Sequence, residues 1–137
     1  MDMKTIIVAA LILGLAGCRQ GSLGEIASRR GEALEATSNE ELAGAYAFTK
    51  STFGPSRTLR TEMERRAMFS PEQWARIDAG TIRVGDSESL VWAALGTPEE
   101  HSDLLTEKGR SRILTYELKG RRVYVDNGIV TAIGSGR

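Results

Sequence analysis

Apolar and polar positions divide the chain into an apolar start, a helical middle and an alternating end. Thr5 to Leu15 (TIIVAALILGL) is an unbroken apolar run. At 1.5 Å per residue a helix of that length spans only ~17 Å, well short of a ~30 Å hydrocarbon core. The run therefore predicts the apolar region of a signal segment and not a permanent transmembrane helix. Arg19 to Gly24 is a polar, Gly-containing tether. Glu25 to Thr37 holds good helix formers but a poor apolar stripe, so helix and disorder both stay open there. From Ser38 the period becomes helical. Ser38 and Glu41 form a capping box, and Leu42, Ala45, Tyr46 and Thr49 follow on one face until Gly54-Pro55. Thr58 to Ala67 predicts a second helix, with Leu59, Met63 and Ala67 on one side. Ser70, Pro71 and Gln73 start a third, with Trp74 and Ile77 as its stripe and Gly80 as its stop. Thr81 to Val84 reads as extended, with Ile82 and Val84 facing the same way.

Ser87 caps a short helix from Glu88 to Leu95, which Gly96 and Pro98 end. Glu99 to Arg110 shows no apolar period and reads as a polar loop. Arg112 to Leu118 then alternates, with Leu114, Tyr116 and Leu118 on one face. Lys119-Gly120 turns the chain into Arg121 to Asp126, where Val123 and Val125 share a side. Asn127-Gly128 is a hairpin signal, since a type I′ turn needs φ > 0 at both residues. Ile129 to Ile133 is the third strand. The predicted fold is α+β: N-terminal helices, then a short helix packed on a three-stranded antiparallel meander. The predicted organisation is a signal peptide over 1–17, Cys18 with a tether or helix over 18–37, a helical segment over 38–80 and an α+β module over 81–137.

Charge narrows the function classes. Lys+Arg and Asp+Glu are both 18 in the 137 residues. Loss of residues 1–17 removes Asp2 and Lys4, one of each sign, so the mature chain stays neutral. Nucleic-acid binding depends on a basic face that displaces counterions, so no nucleic acid partner is expected. The single cysteine, Cys18, cannot form an internal disulfide.

Leu15-Ala16-Gly17-Cys18 resembles the bacterial lipobox and directly follows the apolar run. The resemblance implies that the lipoprotein signal peptidase recognises Leu15, Ala16 and Gly17 and cuts before Cys18. Cys18 then carries a thioether-linked diacylglycerol, often with a further acyl chain on its amine. Each buried CH₂ contributes ~0.8 kcal/mol, and two chains suffice for stable anchoring. Arg19 stands where Asp would signal inner-membrane retention in Gram-negative lipoproteins. The implied place is the periplasmic side of an outer membrane, or the extracytoplasmic membrane surface of a cell that has none.

Ile82-Arg83-Val84-Gly85-Asp86-Ser87, then Val91 and Leu95-Gly96-Thr97-Pro98, is similar to the helical half of SmpA/OmlA (BamE-like) lipoproteins. Tyr116, Tyr124-Val125-Asp126-Asn127-Gly128-Ile129-Val130 and Ile133 are similar to the sheet half. Asp86 stands where the family often has Met, and Leu114 where it often has Trp. The match covers Ile82 to Ile133, and a helical segment from 25 to 80 separates it from the anchor. The resemblance implies a lipoprotein carrying a BamE-like module, not the assembly factor itself, with the module standing away from the bilayer.

Chemistry-bearing residues are sparse. His101 lies near Glu99, Glu100 and Asp103, but no second His exists, and zinc sites use three or four ligands. Ser51, Ser56, Ser87 and Ser89 have one His to pair with and no nucleophile-elbow motif. Glu62, Glu64, Arg65 and Arg66 read as a solvated helix face with local pairs. Acids interspersed with Arg57, Arg60, Arg65 and Arg66 argue against lipid-headgroup binding. Trp74 and Trp92 sit at core spacing. The expectation is therefore a protein with no catalytic residue, metal or cofactor. It would be a non-enzymatic scaffold held to a membrane by lipid and binding an envelope protein, with a possible relation to outer membrane protein assembly. The alternative is a small-ligand or inhibitor-type binding module in the periplasm, which predicts a concave sheet face lined by exposed aromatics.

Overall fold

The computed structural model describes residues 22–135. The predicted signal segment and Leu15, Ala16, Gly17 and Cys18 lie outside the described residues. Six helices come first: α1 (Leu23–Ser28), α2 (Gly31–Glu35), α3 (Asn39–Thr52), α4 (Arg57–Arg65), α5 (Pro71–Ala79) and α6 (Glu88–Leu95). The strands β1 (Glu100–Thr106), β2 (Gly109–Tyr116), β3 (Arg121–Asp126) and β4 (Ile129–Ser135) follow, with a 3-10 turn at Glu117–Lys119. They form one antiparallel sheet in the order β1-β2-β3-β4. The fold is α+β, with four strands where alternation predicts three. No described helix is long and apolar enough to cross a membrane.

The helix boundaries follow from their caps. Ser38 Oγ accepts from Glu41 N–H while the Glu41 carboxylate accepts from Ser38 N–H. Ser70 and Gln73 repeat the box on α5, with Pro71 at its first position. Gly80 ends α5 with φ 70°, in the left-handed region open to glycine. Ser87 caps α6 through Leu90 N–H. Residues 25–37, open between helix and disorder, form most of α1 and all of α2. Each of these helices buries a single side chain, Ile26 and Leu34 respectively. One anchor per helix is too little to make a visible stripe.

A continuous core joins the helices to the sheet. Tyr46, Leu59, Met63 and Ile77 from α3, α4 and α5 cluster with Leu90 and Val91 of α6 and with Leu114, Tyr116, Val123, Val125 and Val130 of the sheet. Trp74 is buried, with Tyr46 and Phe69 edge-on at 5.5 and 5.2 Å and the Arg60 guanidinium 4.3 Å from its ring centre. Trp92 is half-buried against the same cluster. Gly44 lets α3 approach α6 closely: a Cβ there would lie 3.1 Å from Thr97 Oγ1 and 3.3 Å from Trp92 Cε3.

Three local expectations are corrected. Leu118 leaves the alternation and is 92 % exposed, because the chain enters the 3-10 turn after Tyr116. Thr81 to Val84 forms no strand: Ile82 packs on the core and Val84 is exposed. The α4 charges are not all a solvated face. Glu62 is buried and accepts from Arg65 (2.6 and 2.9 Å) and Arg66 (2.9 Å). Arg66 also donates to the Leu34, Glu35 and Thr37 carbonyls, so it satisfies the free C-terminal groups of α2.

Candidate protein-interaction surface

The segment read as a polar loop, Glu99 to Arg110, instead supplies β1 and the turn into β2. Every residue of β1 is exposed, so neither face is selected for apolar side chains and no period of two can appear. Its strand form comes from pairing. Thr106 to Gly109 is a tight turn in which Thr106 Oγ1 accepts from Lys108 N–H and donates to the Gly109 carbonyl. The register then runs from Thr106↔Gly109 to Glu100↔Thr115 without a break. The one local cue is Leu104-Leu105-Thr106 before Lys108-Gly109, a short apolar stretch ahead of a glycine turn, too brief to set a period.

Asn127 ties this turn to the β3–β4 turn. Its Oδ1 accepts from Arg110 N–H (3.0 Å), and its Nδ2 donates to the Lys108 carbonyl (3.2 Å). Asn127 has φ 49° and Gly128 φ 81°, both positive as the hairpin signal requires.

Ion pairs hold β1 to the body. Asp103 accepts from Arg110 (2.6 Å) and from Arg112 Nε (2.8 Å), while Arg112 Nη1 donates to Glu88 of α6 (2.6 Å). Hydrogen bonds from Arg110 and Arg112 hold the Asp103 carboxyl down at about 2. His101 Nδ1 lies 3.6 Å from Asp103 Oδ1, and Glu99 is taken up as acceptor for Glu117 N–H. Among the described residues no group of three or more His, Cys, Asp or Glu could hold a metal ion. Ser56 and Ser87 are helix caps, and Ser51 donates to the Phe48 carbonyl.

The helices cover only the middle of the sheet. Leu114 and Val123 are fully buried in one row, whereas their row neighbours His101 on β1 and Ile133 on β4 are exposed. The opposite face is bare. Ser102, Ile113, Tyr124 and Ala132 form a row across it, and with Leu104 and Ser111 they line a shallow trough of about 340 Å³.

The two edges differ. The start of β4 is covered by the loop before α6: Gly85 N–H donates to the Val130 carbonyl and Val130 N–H to the Asp86 carbonyl, both at 2.8 Å. Asp86 is buried there. Burial raises its carboxyl, but the two-pronged Arg76 pair (2.6 and 2.7 Å) and Arg83 N–H outweigh that and lower it. A register shift between Tyr124 and Val125 bends the same side. β1 has neither cover nor bulge among the described residues. Comparison of the chain with protein-family models, curated proteins and solved structures returns no match.

Proposed function

We propose that this protein is a lipid-anchored scaffold of the cell envelope that binds another protein and catalyses no reaction. Cys18 carries the acyl chains, and the α+β body offers the partner its bare sheet edge. The observation that carries the binding half is β1, exposed along all seven residues and held rigid by the Arg110–Asp103–Arg112–Glu88 chain. The anchoring half rests on the apolar run and Leu15-Ala16-Gly17-Cys18. The Ile82 to Ile133 stretch is read as an SmpA/OmlA-type module, with a role alongside outer membrane protein assembly as the corresponding proposal.

The distance expected between module and membrane shortens on this reading. Leu23 packs beside Gly44, with Cδ2 3.6 Å from where a Cβ would stand. The five residues from Cys18 to Leu23 reach at most ~18 Å when fully extended. The helices are therefore part of a body held close to the bilayer, not a spacer.

Labelling cells with radioactive palmitate tests the anchor. The wild type should take up label and sediment with membranes, and Cys18→Ala should stay unlabelled and uncut. Label persisting on Cys18→Ala would sink the reading. A second reading, small-ligand binding, is favoured by the hydroxyl-lined trough. It expected a face lined by exposed aromatics, whereas Tyr124 is the one aromatic in the trough and is half-buried. The scaffold reading is accordingly preferred.

A further inference from the structure

We propose that the outer edge of β1 accepts an extended, basic segment of a partner protein as a fifth strand of the sheet. The inference deepens the protein-binding reading and rests on it.

Backbone direction is the first support. Arg110 turns its backbone toward β3, since its N–H donates to Asn127 Oδ1 and its carbonyl accepts from Asn127 N–H. Alternation then points Gly109, Ser111 and Ile113 toward β1, where Thr106, Leu104 and Ser102 are their partners. His101, Asp103 and Leu105 are left with N–H and C=O directed outward. No described residue bonds to them there.

The second support is that the edge lacks the usual protection. β1 contains no proline, no lysine and no bulge. Its one inward-turned acid, Asp103, is neutralised by Arg110 and Arg112. Leu104 and Leu105 point to opposite faces and are 63 % and 81 % exposed. An added strand would cover both, and its backbone would meet a row already straight and in register.

Charge selects the occupant. With Asp103 taken by Arg110 and Arg112, Glu99, Glu100 and Glu107 remain at the two ends of the strand against Lys108. A strand with Lys or Arg toward its ends complements them.

The test uses the full chain in detergent with an alternating lysine–valine heptapeptide as the probe. Backbone amide exchange is followed residue by residue. The probe should slow exchange at His101, Asp103 and Leu105 by at least about tenfold, because these amides gain partners. A glutamate–valine heptapeptide should give no such protection. His101→Pro and Leu105→Pro each delete an outward donor but no bond to β2, so they should weaken binding at least about tenfold with unchanged unfolding midpoints. A lysine–valine probe N-methylated at alternate amides supplies the same control without altering the protein, and it should not bind.

Unprotected edge amides overturn the proposal. So does a response confined to Ile113 and Tyr124, which would mean trough binding. Concentration-dependent protection without probe would mean a second copy is the occupant. The wider reading is judged separately: crosslinks formed in membranes from a different surface would leave a scaffold standing without this edge, and crosslinks from no surface would remove the scaffold itself.

Discussion

Asn127 closes over Gly109 where two turns meet. A Cβ on Gly109 would lie 1.9 Å from Asn127 Oδ1, and Gly109 also has φ 118°. Gly109→Ala should therefore cost about 2 kcal/mol or more in chemical denaturation. Adding Asn127→Gly removes the clash but not the backbone strain, so the double variant should lose less than the sum of the two single losses. Fully additive losses would mean that the two residues do not touch. Glu62 governs a different observable. Hydrogen bonds from Arg65, then Arg66, hold its carboxyl at about 2 against an ordinary 4.5, although burial pulls upward. A lowered folded-state value means that the stabilisation is complete above pH 4.5 and fades as pH falls toward 2. Glu62→Gln should destabilise the neutral-pH protein by ~1–3 kcal/mol and flatten the acid limb of a urea-midpoint profile. An acid limb of unchanged slope would contradict that role.

Among the elements, α3 and α6 depend on closeness. Gly44→Val would set side-chain atoms against Thr97 and Trp92 and should cost ~1–3 kcal/mol by overpacking, read as a lowered unfolding midpoint. The elements that the chain announces are those whose signals are local. Ser38, Ser70 and Ser87 sit where caps must sit, and Asn127-Gly128 permits one kind of turn, so α3, α5, α6 and the β3–β4 hairpin are legible. β1 is not, because periodicity reports burial and β1 has none. The candidate surface was therefore the least legible part: what makes β1 available to a partner also removes its pattern. Arg66 and Arg76 were missed for another reason. Their bonds run to the Leu34 carbonyl and the Asp86 carboxylate on other elements, and an arginine bound for such an acceptor looks like any surface arginine.

For the whole molecule, one core spans the helices and the sheet. Residues 81–137 alone would lose Leu42, Tyr46, Leu59 and Ile77 from that core, and a chain so short is marginal even with its core intact. That fragment should show no cooperative thermal transition, and a sharp one would make the preceding helices an independent arm. The central claim is that a membrane-held body recognises its partner through β1. The most direct measurement is site-specific photocrosslinking in intact membranes, with the probe placed in turn at Leu105 on β1, Val84 and Leu118, all exposed. A discrete adduct from Leu105, absent from the other two, together with an adduct from a probe at His101 that Leu105→Pro abolishes, is the predicted result. Equal adducts from all three sites, or none from Leu105, would contradict it.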